Sequence, residues 1–151
     1  MPTGLGSRPT FSCFHPGSSR YISAIHYAAP VGQKDLIMFA LLMGLKTISP
    51  DNLHRLVQNP EHLSVIDVNS RQSWMKAHVP GAKNLDPTDY KDSDLPADKN
   101  EVLVFYCSNP MCRKAPNAAR RARKLGYGNV RVMSAGISGW LAAKLPTESG
   151  E

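Results

Sequence analysis

Two cysteines five positions apart govern the reading of EVLVFYCSNPMCRKAPNAARRARKLGY, residues 101–127. Cys107 ends an apolar run, Cys112 sits in the loop beyond it, and Arg113 and Lys114 lead into a basic segment of helical character. Three chemistries compete for such residues. A structural zinc site needs four ligands, usually cysteines and histidines in closely spaced pairs. Here there is no second cysteine pair, and His15, His26, His54, His62 and His78 form no ligand-spaced cluster with the first, so no metal is expected. A thioredoxin-type redox pair has two intervening residues, and this pair has four. The third chemistry is a thiolate nucleophile held in an anion-binding loop.

That third reading follows from where Cys107 falls. In open parallel sheets, ligands bind beyond the carboxyl ends of strands, where loops enter helices. Cys107 directly follows the strand candidate VLVFY and precedes a helix opening near Pro116. A short SNPMCRK loop is expected to turn its N–H groups inward, and the helix behind it presents the positive end of its dipole. Both should lower the thiol pKa below the free value of about 8.5, with Arg113 and Lys114 adding fixed charge. The candidate site is therefore Cys107 as nucleophile, with Ser108, Asn109, Met111, Cys112 and Arg113 around the substrate. The bland alternative is that a cysteine ending a strand is simply a small buried hydrophobe.

The elements that must position this loop can be read along the chain. KTIS is a short strand, and Ser49 caps a helix that Pro50 opens without losing a hydrogen bond. LSVIDV (63–68) has the near-continuous apolar character of a strand buried on both faces. RQSWMKAH is a short helix closed by the VPGA turn, and residues 90–100 form an acidic, turn-rich loop before VLVFY (102–106). A helix from Pro116 to Leu125 stops at Gly126, with Ala118, Ala119, Ala122 and Leu125 on one face. NVRVMSA (129–135) is a further strand and GISGWLAAKL a closing helix. Strand and helix alternate without sequence repeats, which implies an α/β domain with a largely parallel sheet and right-handed crossovers.

Bulk properties bound the rest. The chain has 151 residues, 42% hydrophobic and 20% charged, with formal net charge +6, a balance that suits one globular domain with anionic partners. Three cysteines are too few for a disulfide scaffold, so a reducing compartment is the simpler expectation, with cytoplasm as the default. Arg120, Arg121, Arg123 and Lys124 carry no interleaved aromatics and read as a solvated helix face rather than a nucleic-acid surface. The apolar run Ile37–Leu42, extending to Leu45, is too short to cross a bilayer, which takes about 20 residues. Residues 1–44, rich in Pro, Gly and Ser and without an acid before Asp35, read as a flexible N-terminal extension that holds Cys13. An organelle transit segment, or a natural start at Met43, would each account for it.

The chain from about Leu45 to Thr147 resembles a rhodanese-like, single-domain sulfurtransferase domain, and several segments carry the likeness. TISPDNLHRLV is similar to the family's opening strand and helix. LSVIDVNSRQSWMKAHVPGAKNL is similar to its first signature, an Asp-Val pair at a strand end followed by a His-hydrophobic-Pro-Gly-Ala turn. VLVFYC with its loop and helix resembles the active-site strand. VRVMSAGISGWLAAKLPT resembles the second signature, with Gly136, Trp140 and Pro146 in register. The resemblance implies a rhodanese-like domain over residues 45–148, with no cofactor. It implies that Cys107 takes the outer sulfur of a small anionic donor such as thiosulfate and passes it, as a persulfide, to cyanide or a thiol acceptor, a protein thiol included. Arg113 would steer or hold the donor.

Some residues depart from the family pattern. Asn69 stands where the first signature commonly has Arg, so an ion pair with Asp67 is not expected. The loop is longer than the common sulfurtransferase version and contains Pro110 and Cys112, like a subgroup with Cys-x4-Cys. Cys107 to Arg113 is also a Cys-x5-Arg spacing, the arrangement with which thiolate phosphatases and arsenate reductases of the same fold wrap an oxyanion. Against that reading, Pro110 removes one amide and Tyr106 stands where those enzymes have histidine. Sulfur transfer is favoured, with oxyanion chemistry first alternative and a non-catalytic binding module second. His78, Asp67, Trp140 and Tyr127 are read as structural.

Overall fold

The structure, a computed structural model, describes residues 44–150. The elements run β1 (Lys46–Thr47), α1 (Pro50–Val57), β2 (Leu63–Asp67), α2 (Arg71–Lys76) and β3 (Lys83–Asn84). After a 3-10 turn (Asp92–Asp94) come β4 (Val102–Tyr106), α3 (Lys114–Lys124), β5 (Val130–Val132) and α4 (Gly136–Ala142). All five strands pair in parallel in the order β1-β5-β4-β2-β3, the α/β architecture expected. The extension assigned to residues 1–44, Cys13 with it, lies outside the described residues but for Gly44.

The sheet divides the core by strand alternation, since successive side chains point to opposite faces. Val65, Val104 and Tyr106 pack with Leu53, Met133 and Trp140, under α1 and α4. Ile66, Phe105 and Cys107 pack with Ala118, Ala119, Ala122 and Tyr127, under α3. Tyr106 and Cys107 are thus adjacent in sequence and opposite in space. The alanines let α3 approach β4 closely, which brings the start of that helix under the Cys107 sulfur.

Ser49 caps α1 as expected, its hydroxyl accepting from the Asn52 amide at 3.3 Å, with Pro50 the first helical residue. The start of α3 differs: the helix opens at Lys114 rather than Pro116. Pro116 is its third residue, where an N–H would have had no helical partner, so proline is tolerated inside the first turn. The two-residue β3 was not read from the sequence. Its register, Ile66 against Lys83 and Asp67 against Asn84, places Asn84 at the carboxyl end of β2.

Part of the basic run on α3 ties the fold together. Arg121 donates to the Thr88 carbonyl and lies 5.1 Å over the Tyr90 ring, and Arg123 donates to the Gly44 carbonyl. On the opposite face, fully buried Trp140 donates its indole N–H to Pro146 O at 2.8 Å and meets the His54 ring edge-on at 5.8 Å. Trp140→Ala removes the largest side chain of that cluster. A loss of roughly 3–5 kcal/mol in denaturant-melt stability is expected.

Candidate active site

Cys107 stands at the carboxyl end of β4, the centre of the sheet, with its backbone held from a second direction. Ile137 N–H donates to Cys107 O at 2.8 Å and Ser138 N–H to Ser108 O at 3.0 Å, so the first turn of α4 grips the start of the loop. Gly136 makes that grip possible. Its φ is +64°, and a Cβ built on it would lie 2.6 Å from Asn109 N and 2.7 Å from Cys107 O. The segment GISGW was legible in the sequence as a turn and a helix start; that its glycine seats the nucleophile's backbone was not.

The loop itself does not form the cradle expected of it. Met111 N–H donates to Asn109 Oδ1 at 2.9 Å and Cys112 N–H to Asn109 O at 3.1 Å, so two loop amides are spent on the loop's own turn. The group facing the sulfur is instead the Cys112 carbonyl, which accepts from the Cys107 thiol at 3.2 Å. The Ala115 and Asn109 amides turn toward that sulfur and favour its charge. Cys107 is 3% exposed. The expectation of a depressed Cys107 pKa is therefore overturned: burial first, then its hydrogen bond with Cys112, pushes the thiol up to about 12. A carbonyl acceptor and a packed apolar wall favour S–H over S⁻.

Cys112 carries the ionisation instead. It is partly exposed, and although burial opposes its charge, hydrogen bonds from the Cys107 thiol, the Lys114 amide and Ser108 draw its pKa below the ordinary thiol value. The two thiols titrate as a pair, and the more open Cys112 is favoured to carry the charge of the first deprotonation. Iodoacetamide at neutral pH is accordingly expected to label Cys112 and spare Cys107. Peptide mapping reads the order, and preferential labelling of Cys107 would contradict it.

The other site residues fall as follows. The Ser108 hydroxyl accepts from Asn109 Nδ2 at 3.3 Å. Met111 is 75% exposed in the loop. Arg113 is exposed and stands at the N-cap of α3, next to Lys114. Lys114 also borders a cleft of about 500 Å³ lined by Val68, Asn69, Ser70, Arg71 and Asn84. A cleft of about 320 Å³ around Leu63, Ser64 and Asp94 includes neither thiol. The cleft at Lys114 lies where ligands of parallel sheets are held, past the ends of β2 and β3.

Asp67 and His78 organise backbone, as read from the sequence. The Asp67 carboxyl takes the Asn69 amide at 2.7 Å, so Asn69 substitutes a backbone bond for the ion pair of an Arg. Burial raises the Asp67 pKa, opposed by hydrogen bonds from Tyr106 and Asn69. Asn84 Nδ2 donates to Asp67 O at 3.1 Å and Asn69 O at 3.0 Å, fixing the cleft wall, a role that the short β3 hid. His78 Nδ1 bonds Trp74 O at 2.8 Å, and its backbone pairs in both directions with Glu148. Among the described residues, no three His, Cys, Asp or Glu side chains group as a metal site, and no helix is long and apolar enough to cross a membrane.

Comparison with known proteins identifies the class. The family model described as "Rhodanese-like domain" matches residues 49–143, and the chain belongs to that family. It is 30% identical over 116 residues to YibN of Escherichia coli K12, covering 74% of this chain and 78% of that protein. It is 25% identical over 107 residues to the thiosulfate sulfurtransferase GlpE of Haemophilus influenzae, covering 71% of this chain and 98% of that one. Among solved structures, BH2092 of Bacillus halodurans superposes with TM-score 0.65 at 21% identity, covering 77% of this chain and 85% of its own. A Pseudomonas aeruginosa thiosulfate sulfurtransferase gives TM-score 0.62 at 28% identity over 71% of this chain and 20% of its own.

Proposed function

We propose that this protein is a sulfurtransferase that carries a sulfane sulfur as a persulfide on Cys107, from a small anionic donor such as thiosulfate to a thiol or cyanide. The observation that carries the reading is the placement of Cys107 at the end of the central strand, with its backbone clamped by α4 and the start of α3 behind its sulfur. Family membership, with relatives named as sulfurtransferases, points the same way.

The resting arrangement is closed, so donor binding has to do work on the loop. Turning the Cys112 carbonyl away from Cys107 frees the sulfur and exchanges an S–H acceptor for the Ala115 amide and the α3 dipole, both of which favour negative charge. The Cys107 proton, released from the Cys112 carbonyl, passes to the neighbouring Cys112 thiolate, and Cys107 attacks the outer sulfur of the donor. Sulfite leaves when the donor is thiosulfate. Arg113 and Lys114, at the opening of α3, supply positive charge for the anion. Transfer to the acceptor regenerates the thiol, a double displacement.

Initial rates of thiocyanate formation from thiosulfate and cyanide, on freshly reduced protein, test this. Parallel double-reciprocal lines are expected. Turnover of an aryl phosphate or arsenate that Arg113→Ala abolishes, without thiocyanate formation, would replace the reading with oxyanion chemistry. The Asn109-bound amides speak against that alternative, because an oxyanion cradle needs the loop N–H groups that the turn consumes.

A further inference from the structure

Cys112 has no part of its own in that cycle beyond holding a proton, yet the loop is built around it. Asn109 fixes the position of Cys112 through its backbone carbonyl and that of Met111 through its side chain, folding the loop back over Cys107. Both thiols are free, and the Cys107 S–H donates to the Cys112 backbone carbonyl at 3.2 Å. One is sealed in the core and the other partly open to solvent. The inner position suits storage of a sulfur atom, and the outer suits exchange with a reductant.

We propose that Cys112 discharges the Cys107 persulfide as hydrosulfide, making the pair a dithiol-dependent, sulfide-releasing centre. This rests on the persulfide of the proposed function. The Cys112 thiolate attacks Cys107 Sγ, a Cys107–Cys112 disulfide bond forms, and the bond from Cys107 Sγ to the outer sulfur breaks. The electron pair of that bond leaves with the outer sulfur, as hydrosulfide once protonated. Two thiols are oxidised by two electrons and the sulfane sulfur is reduced by two, so no outside oxidant enters. An external dithiol then reduces the disulfide by exchange at the partly exposed Cys112 and becomes a disulfide itself. The Cys107 sulfur lies 3.2 Å from the Cys112 carbonyl oxygen, so the two residues are adjacent and the attack competes with external acceptors as an intramolecular reaction. Hydrogen bonds from the Cys107 thiol, the Lys114 amide and Ser108 draw the Cys112 pKa below the ordinary thiol value, which favours the attacking thiolate.

The test is anaerobic incubation of reduced protein with thiosulfate and no reductant, followed by intact mass, peptide mapping and hydrosulfide assay. Wild type is expected to release hydrosulfide stoichiometrically and finish two hydrogens lighter, with a linked Cys107–Cys112 peptide. Cys112→Ser is expected to finish one sulfur heavier and release none. Adding dithiothreitol to wild type should convert the single release into continuous turnover. Wild type that keeps the added sulfur and releases no hydrosulfide overturns the inference and leaves the proposed function standing. Failure of both proteins to take up sulfur, from thiosulfate and from glutathione persulfide alike, overturns both. The linked peptide is read on wild type itself, so a poorly folding variant does not blur the answer.

Discussion

Cys107→Ser should abolish sulfur transfer, with a fall in thiocyanate turnover on the order of 10⁴-fold or more, the scale seen when a covalent nucleophile is removed. The protein should remain folded. A serine hydroxyl can keep the bond to the Cys112 carbonyl now made by the thiol at 3.2 Å, and the change at this 3% exposed position removes little volume. Its melting free energy should stay within about 1–2 kcal/mol of wild type. The resting structure offers a rival nucleophile. Cys112 is the more open and more readily ionised of the two thiols. Cys107→Ser and Cys112→Ser measured side by side decide. Uptake of sulfur by Cys107→Ser, and none by Cys112→Ser, would move the persulfide to Cys112. A protein that transfers no sulfur in any form, but binds its partner equally with and without Cys107, would be a binding module.

The contrast between these thiols also shows what sequence could and could not reveal. Periodicity and caps placed most elements within a residue or two: VLVFY is apolar throughout and LSVID largely so because both their faces are covered, and Ser49-Pro50 caps α1 by side-chain chemistry that works locally. β3 escaped because two residues of KN carry no pattern of their own and are strand only through pairing with β2. For the site, the position of Cys107 was legible from the strand end, and its ionisation was not. Protonation there depends on which groups of the SNPMCRK loop face the sulfur. That choice is made by Asn109, whose carbonyl and side chain both take loop amides and thereby turn the Cys112 carbonyl inward. The spacing Cys-x4-Cys is silent on this, since amide-in and carbonyl-in loops have the same length. The basic run on α3 was likewise ambiguous: Arg121 and Arg123 are drawn to carbonyls at Thr88 and Gly44 by tertiary placement alone.

Gly136→Ala should damage catalysis far more than its distance from any reacting atom suggests. Two penalties combine. A φ of +64° puts an L-residue in the left-handed region, which costs about 1–2 kcal/mol for alanine. The added Cβ would also sit 2.6 Å from Asn109 N, 2.7 Å from Cys107 O and 2.7 Å from the Ser108 carbonyl carbon, all backbone, so no side chain can swing aside to make room. Either α4 retreats and breaks the bonds from Ile137 and Ser138 to the loop, or the loop moves and takes Cys107 with it. The first route loses two hydrogen bonds of 2.8 and 3.0 Å, and a total destabilisation of roughly 3 kcal/mol or more is expected. The second displaces the nucleophile, and misplacement by about an ångström can lower turnover on the order of 10²-fold. The role is one of positioning, so the readout must separate it from simple unfolding. At a temperature where Gly136→Ala is folded by circular dichroism, kcat should fall while the order of iodoacetamide labelling of Cys107 and Cys112 becomes less distinct, because the bonds that fix the loop have loosened. A conservative control is Gly139→Ala in the same helix, which crowds the Cβ of Ala135 at 2.4 Å rather than the loop backbone and should lower stability without changing the labelling order. Full activity in Gly136→Ala, with melting unchanged, would show that the loop has slack which this packing does not allow.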